Sequence, residues 1–171
     1  MKILIRNSDN VVIYAQPDLT LGADGTRGDD WFFPHYTSNN CHLAEADLPP
    51  QWVGGVWSYT NGTWAIADAG RHAQIVADHA ANVQASIVVA TQIRLDEFAQ
   101  SRHYDGILSA CTYATSGVLK FAAEGQCCVD ARDATWSALY TIMAEVIAGT
   151  RAMPESFADV SPLLPALAWP V

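Results

Sequence analysis

The chain has 171 residues, half of them hydrophobic, enough to bury a core in one domain or two small ones and too apolar for a disordered chain. Eighteen acidic residues against nine basic ones give a formal charge of −9, which repels a phosphate backbone and sets nucleic acid aside as a partner. The apolar run at the start is too short for a secretory signal, and no later stretch of about 18 uncharged apolar residues could span a bilayer, so the expectation is a cytosolically made protein without membrane insertion.

Residues 1–67 read as a small aromatic-rich β module built on hairpins. Ile3 to Ile5 and Val11 to Tyr14 are β-branched runs flanking Asn7-Ser8-Asp9-Asn10, whose short polar side chains suit a turn. A second hairpin centres on Asn61-Gly62, the pair that most readily supplies two positive φ angles, between Trp52–Tyr59 and Trp64–Ile66. Between them, residues 17–50 are rich in glycine and proline and predict loop with at most a short strand. There, Trp31-Phe32-Phe33 form either an aromatic plug in a thin core or a docking surface.

At Asp68 the texture changes. Asp68 can cap a helix, and residues 69–100 lack proline, predicting a rod of roughly 50 Å at 1.5 Å per residue over domain 68–101. Val76, Ala80, Val83, Ile87 and Ala90 are spaced four, three, four and three, the rhythm of a coiled-coil seam, which predicts oligomerisation through this helix. The core positions are small and the run is short, so a helix packed on its own chain is the alternative.

Residues 102–171 predict a helical module with an extended proline-rich tail, making the whole chain α+β. A short helix is expected from Ile107 to about Thr115 and a longer one from after Gly117 to Ile147. In the longer helix Val129, Arg132, Trp136, Leu139, Met143 and Val146 form an apolar stripe widened by Tyr140 and Ile147. Gly149 is the expected stop. Beyond it, Pro154, Pro162, Pro165 and Pro170 punctuate a tail whose Leu163, Leu164, Leu167 and Trp169 should lie down on another surface.

No catalytic constellation emerges from spacing, and no cofactor or metal is expected. Cys41-His42 is the one adjacent thiol and imidazole pair, and neighbours in an extended segment point to opposite sides. His72 and His79 lie two helical turns apart, too far to chelate one ion, although three copies of His79 could ring the axis of a symmetric trimer. The carboxylates Asp29-Asp30, Asp96-Glu97, Asp130 and Asp133 read as solvated faces, with Arg132 pairing locally. The thiols Cys41, Cys111, Cys127 and Cys128 are either small core hydrophobes or, in a particle released into an oxidising medium, a source of one interchain disulfide. Cys41, in the loop after Thr37-Ser38-Asn39-Asn40, is the leading candidate for that bond. Cys111 reads as buried, and Cys127 and Cys128 project about 100° apart on a helix, so one of them is available to a neighbour.

The run Leu95–Ser116, with Arg102-His103-Tyr104-Asp105-Gly106-Ile107-Leu108-Ser109-Ala110-Cys111 at its centre, resembles a module of bacteriophage and prophage tail proteins. The resemblance continues through Phe121–Gln126 and Ala131–Trp136 to Leu164–Pro170, about the C-terminal half, and Lys2–Ala15 is similar to the starts of phage tail-fibre proteins, which implies a complete small protein. What the resemblance implies is a virion tail component: a short tail fibre attached to the baseplate, taking part in host contact and forming a homotrimer. A tail-fibre assembly chaperone or adaptor is the alternative implied by the same resemblance, and a small envelope-degrading enzyme stands further off. The resemblance carries no functional residues across.

Overall fold

The computed structural model describes residues 1–170. It is an α+β protein: small antiparallel sheets come first, then a long helix, then a helical module. The strands are β1 (Lys2–Arg6), β2 (Val12–Gln16), β3 (Thr20–Leu21), β4 (Thr26–Arg27), β5 (Phe32–Phe33), β6 (Cys41–Glu45), β7 (Trp57–Thr60) and β8 (Thr63–Ile66). The helices are α1 (Ala69–Gln100), α2 (Ile107–Cys111), α3 (Leu119–Ile147) and α4 (Phe157–Val160), with 3₁₀ turns at Thr112–Thr115 and Ser161–Leu163. The chain forms two compact units, Met1–Asp78 and His79–Val171. The helix expected to be a separate rod over 68–101 is therefore shared between them, its first turns belonging to one unit and the rest to the other.

In the first unit β1 is the central strand of a sheet ordered β2-β1-β6, antiparallel to both neighbours. Side chains alternate across a strand, so Ile3 and Ile5 enter one cluster with Val12, Tyr59 and Trp64, while Leu4 enters another with Leu19 and Cys41. Burial on both faces explains why β1 is a continuous apolar run. Its hairpin turn is held by an Arg6–Asp9 ion pair at 2.6 Å, and Asp9 also accepts the Val11 N–H. The Asn61-Gly62 hairpin forms as expected between β7 and β8, with φ of 50° and 85° at the two turn residues. Trp52–Val56, placed by the sequence in its first strand, lies outside it, because β7 begins at Trp57.

The segment expected to be mostly loop holds more structure: β3, β4 and β5 form a three-stranded sheet of two-residue strands, and β6 joins the first sheet. In it Trp31 packs within the Leu4 cluster and donates its indole N–H to Gln16, whereas Phe32 and Phe33 are exposed, with Arg27 lying over the Phe32 ring. The plug reading fits Trp31, and the two phenylalanines stay at the surface.

Helix α1 has the bounds the sequence predicts. Asp68 caps it through a hydrogen bond from the Arg71 N–H at 2.9 Å. The end of α3 also follows its glycine: Gly149 stands at φ 72°, with Gly149 N–H on the Val146 carbonyl and Thr150 N–H on the Glu145 carbonyl, the paired bonds of a Schellman motif. The tail is not wholly extended. Ser156 and Asp159 form a reciprocal capping box that starts α4. Beyond it Leu164 is buried, Leu167 and Trp169 pack on the helices, and Leu163 stays exposed.

Candidate functional site

Val83 and Ile87, the middle of the expected seam, are buried within the chain, 8% and 4% exposed, in a cluster with Leu139, Ile142, Val160 and Leu164. The seam is corrected at these two positions, since their faces already contact α3 and the tail. Val76 is exposed, and Ala80 and Ala90 are half-buried. Past Ile87 the buried line runs through Thr91, Leu95 and Ala99, a strict spacing of four. Each step of four advances about 40° around a helix of 3.6 residues per turn, so the line spirals away from the Ala90 position that a coiled coil would use.

The buried face of α3 overlaps the expected stripe and lies to one side of it: Leu139 is buried and Val129, Arg132, Trp136, Met143 and Val146 are half-buried. Glu124, Gly125, Cys128, Thr135, Leu139 and Ile142 are buried, while Tyr140 is 71% and Ile147 83% exposed. A Cβ on Gly125 would lie 2.2 Å from the backbone nitrogen of Ala114, so the close approach of α3 to the 3₁₀ turn selects a residue without a side chain. Beside this face Ile87, Val88, Trp136, Tyr140, Met143 and Ile147 line an open trough of about 940 Å³ between α1 and α3. Arg132 and Asp133, 3.6 Å apart, are its polar rim. Chemically the trough offers apolar and aromatic contact area, which is what a protein partner uses.

Cys41 is 2% exposed, on an inward face of β6 beside Leu4 and Leu19, which corrects its expected place in an accessible loop. Cys128 is fully buried and burial pushes its thiol up to about 12, so it is not available to a neighbour. Cys127 is half-buried, and its thiol donates to the Ala168 carbonyl at 3.3 Å. Cys111, expected to be buried, is half-buried at the edge of the cluster of Leu95, Ala99 and Ile107. Burial raises the thiol pKa at Cys41, Cys111 and Cys127 as well, which works against the thiolate that disulfide exchange requires.

The polar centre of the second unit lies among residues the sequence did not single out for chemistry. Glu124 is buried and accepts hydrogen bonds from the Arg102 guanidinium and, at 2.8 Å, from the Tyr104 hydroxyl. These two bonds hold its carboxyl below the ordinary range, and burial with the Glu124 contact pushes Tyr104 up to about 12. The Arg102 guanidinium lies 5.0 Å from the centre of the Trp169 ring. Trp169 in turn stacks on Phe98 at 4.3 Å and donates its indole N–H to Ser101. Nearby, the Asp96 carboxylate accepts the Ile107 N–H at 2.8 Å and starts α2, a structural role in place of the expected solvated one. Gly106 makes room for it, since a Cβ there would sit 2.7 Å from the Asp96 oxygen.

Local sequence signals do not foretell the Glu124 contacts, because Arg102 and Tyr104 lie 22 and 20 residues away. Among the described residues no three His, Cys, Asp or Glu side chains gather as a metal site, and no helix is long and apolar enough to cross a membrane. No protein-family model matches the chain, and neither the curated proteins nor the solved structures give a match.

Proposed function

We propose that this chain is a structural component of a bacteriophage tail, a short tail fibre attached to the baseplate and engaged in host contact, acting in the virion and not as an enzyme. The observation that carries this reading is that the separate runs resembling phage tail proteins come together in one interlocked cluster. Phe98 and Arg102 from the first run meet Glu124 from the second and Trp169 from the last. Residues distant in sequence that depend on each other in this way support the resemblance as that of a whole folded module, beyond a match of short words.

Assembly with other copies, as a homotrimer, belongs to the same proposal. With Val83 and Ile87 occupied within the chain, the surface it would draw on is the trough edge carrying Tyr140 and Ile147. Quantitative mass spectrometry of purified particles tests the reading. A tail component is present in a fixed small number of copies per particle, whereas a protein abundant in the lysate and missing from the particles would be an assembly chaperone.

A further inference from the structure

A second hollow, of about 470 Å³, opens beside the Glu124 cluster and is separate from the apolar trough. Its polar side is formed by Arg102, His103 and Lys120 around the buried Glu124, and its apolar side by Tyr113 and Phe121. The volume falls within the range of about 300–1,000 Å³ in which small ligands are held.

The charges are preorganised. Arg102 is braced by Glu124 and by the Trp169 ring, yet its side chain is 36% exposed and a guanidinium has five N–H donors, so donors remain for a ligand. Glu124 is offset by Arg102, which leaves the Lys120 ammonium as the surplus charge at the hollow. His103, at φ 68°, is the left-handed residue that ends α1, its N–H on the Gln100 carbonyl and the Tyr104 N–H on the Ala99 carbonyl, and this helix stop sets the wall of the hollow.

The aromatic side narrows the ligand class. Tyr113 and Phe121 are each 41% exposed, and their rings meet edge to face, 6.0 Å apart at 70°. A small bare anion gains nothing from such faces, because the ring quadrupole is negative there; the weakly positive C–H groups of a sugar ring are attracted instead. We propose that this hollow binds an anionic pyranose, with Arg102 and Lys120 on the sugar carboxylate and Tyr113 and Phe121 against the ring. The assignment rests on the hollow alone and stands or falls independently of a role in a tail.

The test is titration of the ¹⁵N-labelled full chain with tetragalacturonate, with maltotetraose as the uncharged ring and with acetate as the charge without a ring. Expected are amide shifts confined to residues 101–104 and 113–124 with tetragalacturonate, binding about tenfold weaker or more with maltotetraose, and no such shifts with acetate at equal carboxylate concentration. Lys120→Gln alters an exposed side chain and should keep the wild-type melting temperature, Phe121→Ala should lower it by a few degrees through the lost contact with Tyr113 while the chain stays folded, and each should weaken tetragalacturonate binding about tenfold. Absence of localised shifts with tetragalacturonate, the same shifts with acetate, or unchanged binding by both variants would overturn the assignment.

Discussion

Gly125→Ala is the substitution for which the packing and the helix propensity disagree in sign. Alanine is the better helix former by about 0.8–1.0 kcal/mol, and Gly125 lies inside α3, so propensity alone predicts stabilisation. The structure predicts the opposite. The new methyl would stand 2.2 Å from the Ala114 nitrogen, 2.5 Å from the Tyr113 carbonyl carbon and 2.9 Å from the Ala114 Cα, where 3.4 Å marks ordinary contact. All three atoms are backbone, so no rotamer change relieves the clash, and α3 must move away from the 3₁₀ turn by about an ångström. Overpacking of this kind costs about 1–3 kcal/mol or more, and with the turn held by its own packing the upper end applies. After the propensity gain, the net loss is about 2 kcal/mol, or roughly 4–8 °C in melting temperature for a chain of this size. Urea denaturation followed by circular dichroism at 222 nm measures it. A variant more stable than wild type by about 1 kcal/mol would refute the close approach.

Three further outcomes follow from the same geometry. Trp136 packs against both apolar clusters of the second unit, so Trp136→Ala should cost about 3 kcal/mol, read as a lowered urea midpoint; an unchanged midpoint would remove it from the core. Glu124→Gln should lose about 1–2 kcal/mol at neutral pH by weakening two hydrogen bonds to a charge. Because Tyr104 and Arg102 depress the Glu124 pKa in the folded state, that contribution is complete above the ordinary carboxylate pKa and disappears as pH falls through the folded value. The stability gap between wild type and variant should therefore be flat from about pH 8 to 5 and close in stronger acid, and a gap constant down to pH 2 would count against the linkage. Finally, Tyr140→Glu with Ile147→Glu alters exposed positions, so melting should change by no more than about 0.5 kcal/mol equivalent while light scattering reports a smaller assembly; an unchanged assembly would exclude the trough edge as the contact between copies.

The features legible in the sequence were those with local causes. The Asp68 cap, the Asn61-Gly62 turn and the Gly149 stop each satisfy backbone groups within a few residues, and each marks its element end correctly. What local pattern missed depends on distant partners. β6 exists because Cys41–Glu45 pairs with β1 across more than thirty residues, and the only signal was the weak alternation of Cys41 and Leu43 with His42. On α3 the expected stripe meets the buried face at Leu139, while the Tyr140 and Ile147 that widen it stay exposed. Glu124, Gly125 and Thr135 are buried as well, polar or small residues that an apolar pattern does not pick out, Gly125 because the 3₁₀ turn lies against its backbone. On α1 the seam and the true buried line share Val83 and Ile87, then part at Ala90 and Thr91, where the Thr91 hydroxyl satisfies itself on the Ile87 carbonyl at 2.8 Å. Periodicity alone cannot separate a line that contacts a second copy from one that contacts the same chain.

The central claim, that this chain is a tail component, is most directly tested by cryo-electron microscopy of particles from a phage carrying the gene, compared with particles from a deletion strain. The account predicts density at the baseplate, absent from the deletion, into which the α1 and α3 helices with the tail packed across them fit without rearrangement. Tails of identical density with and without the gene would contradict it.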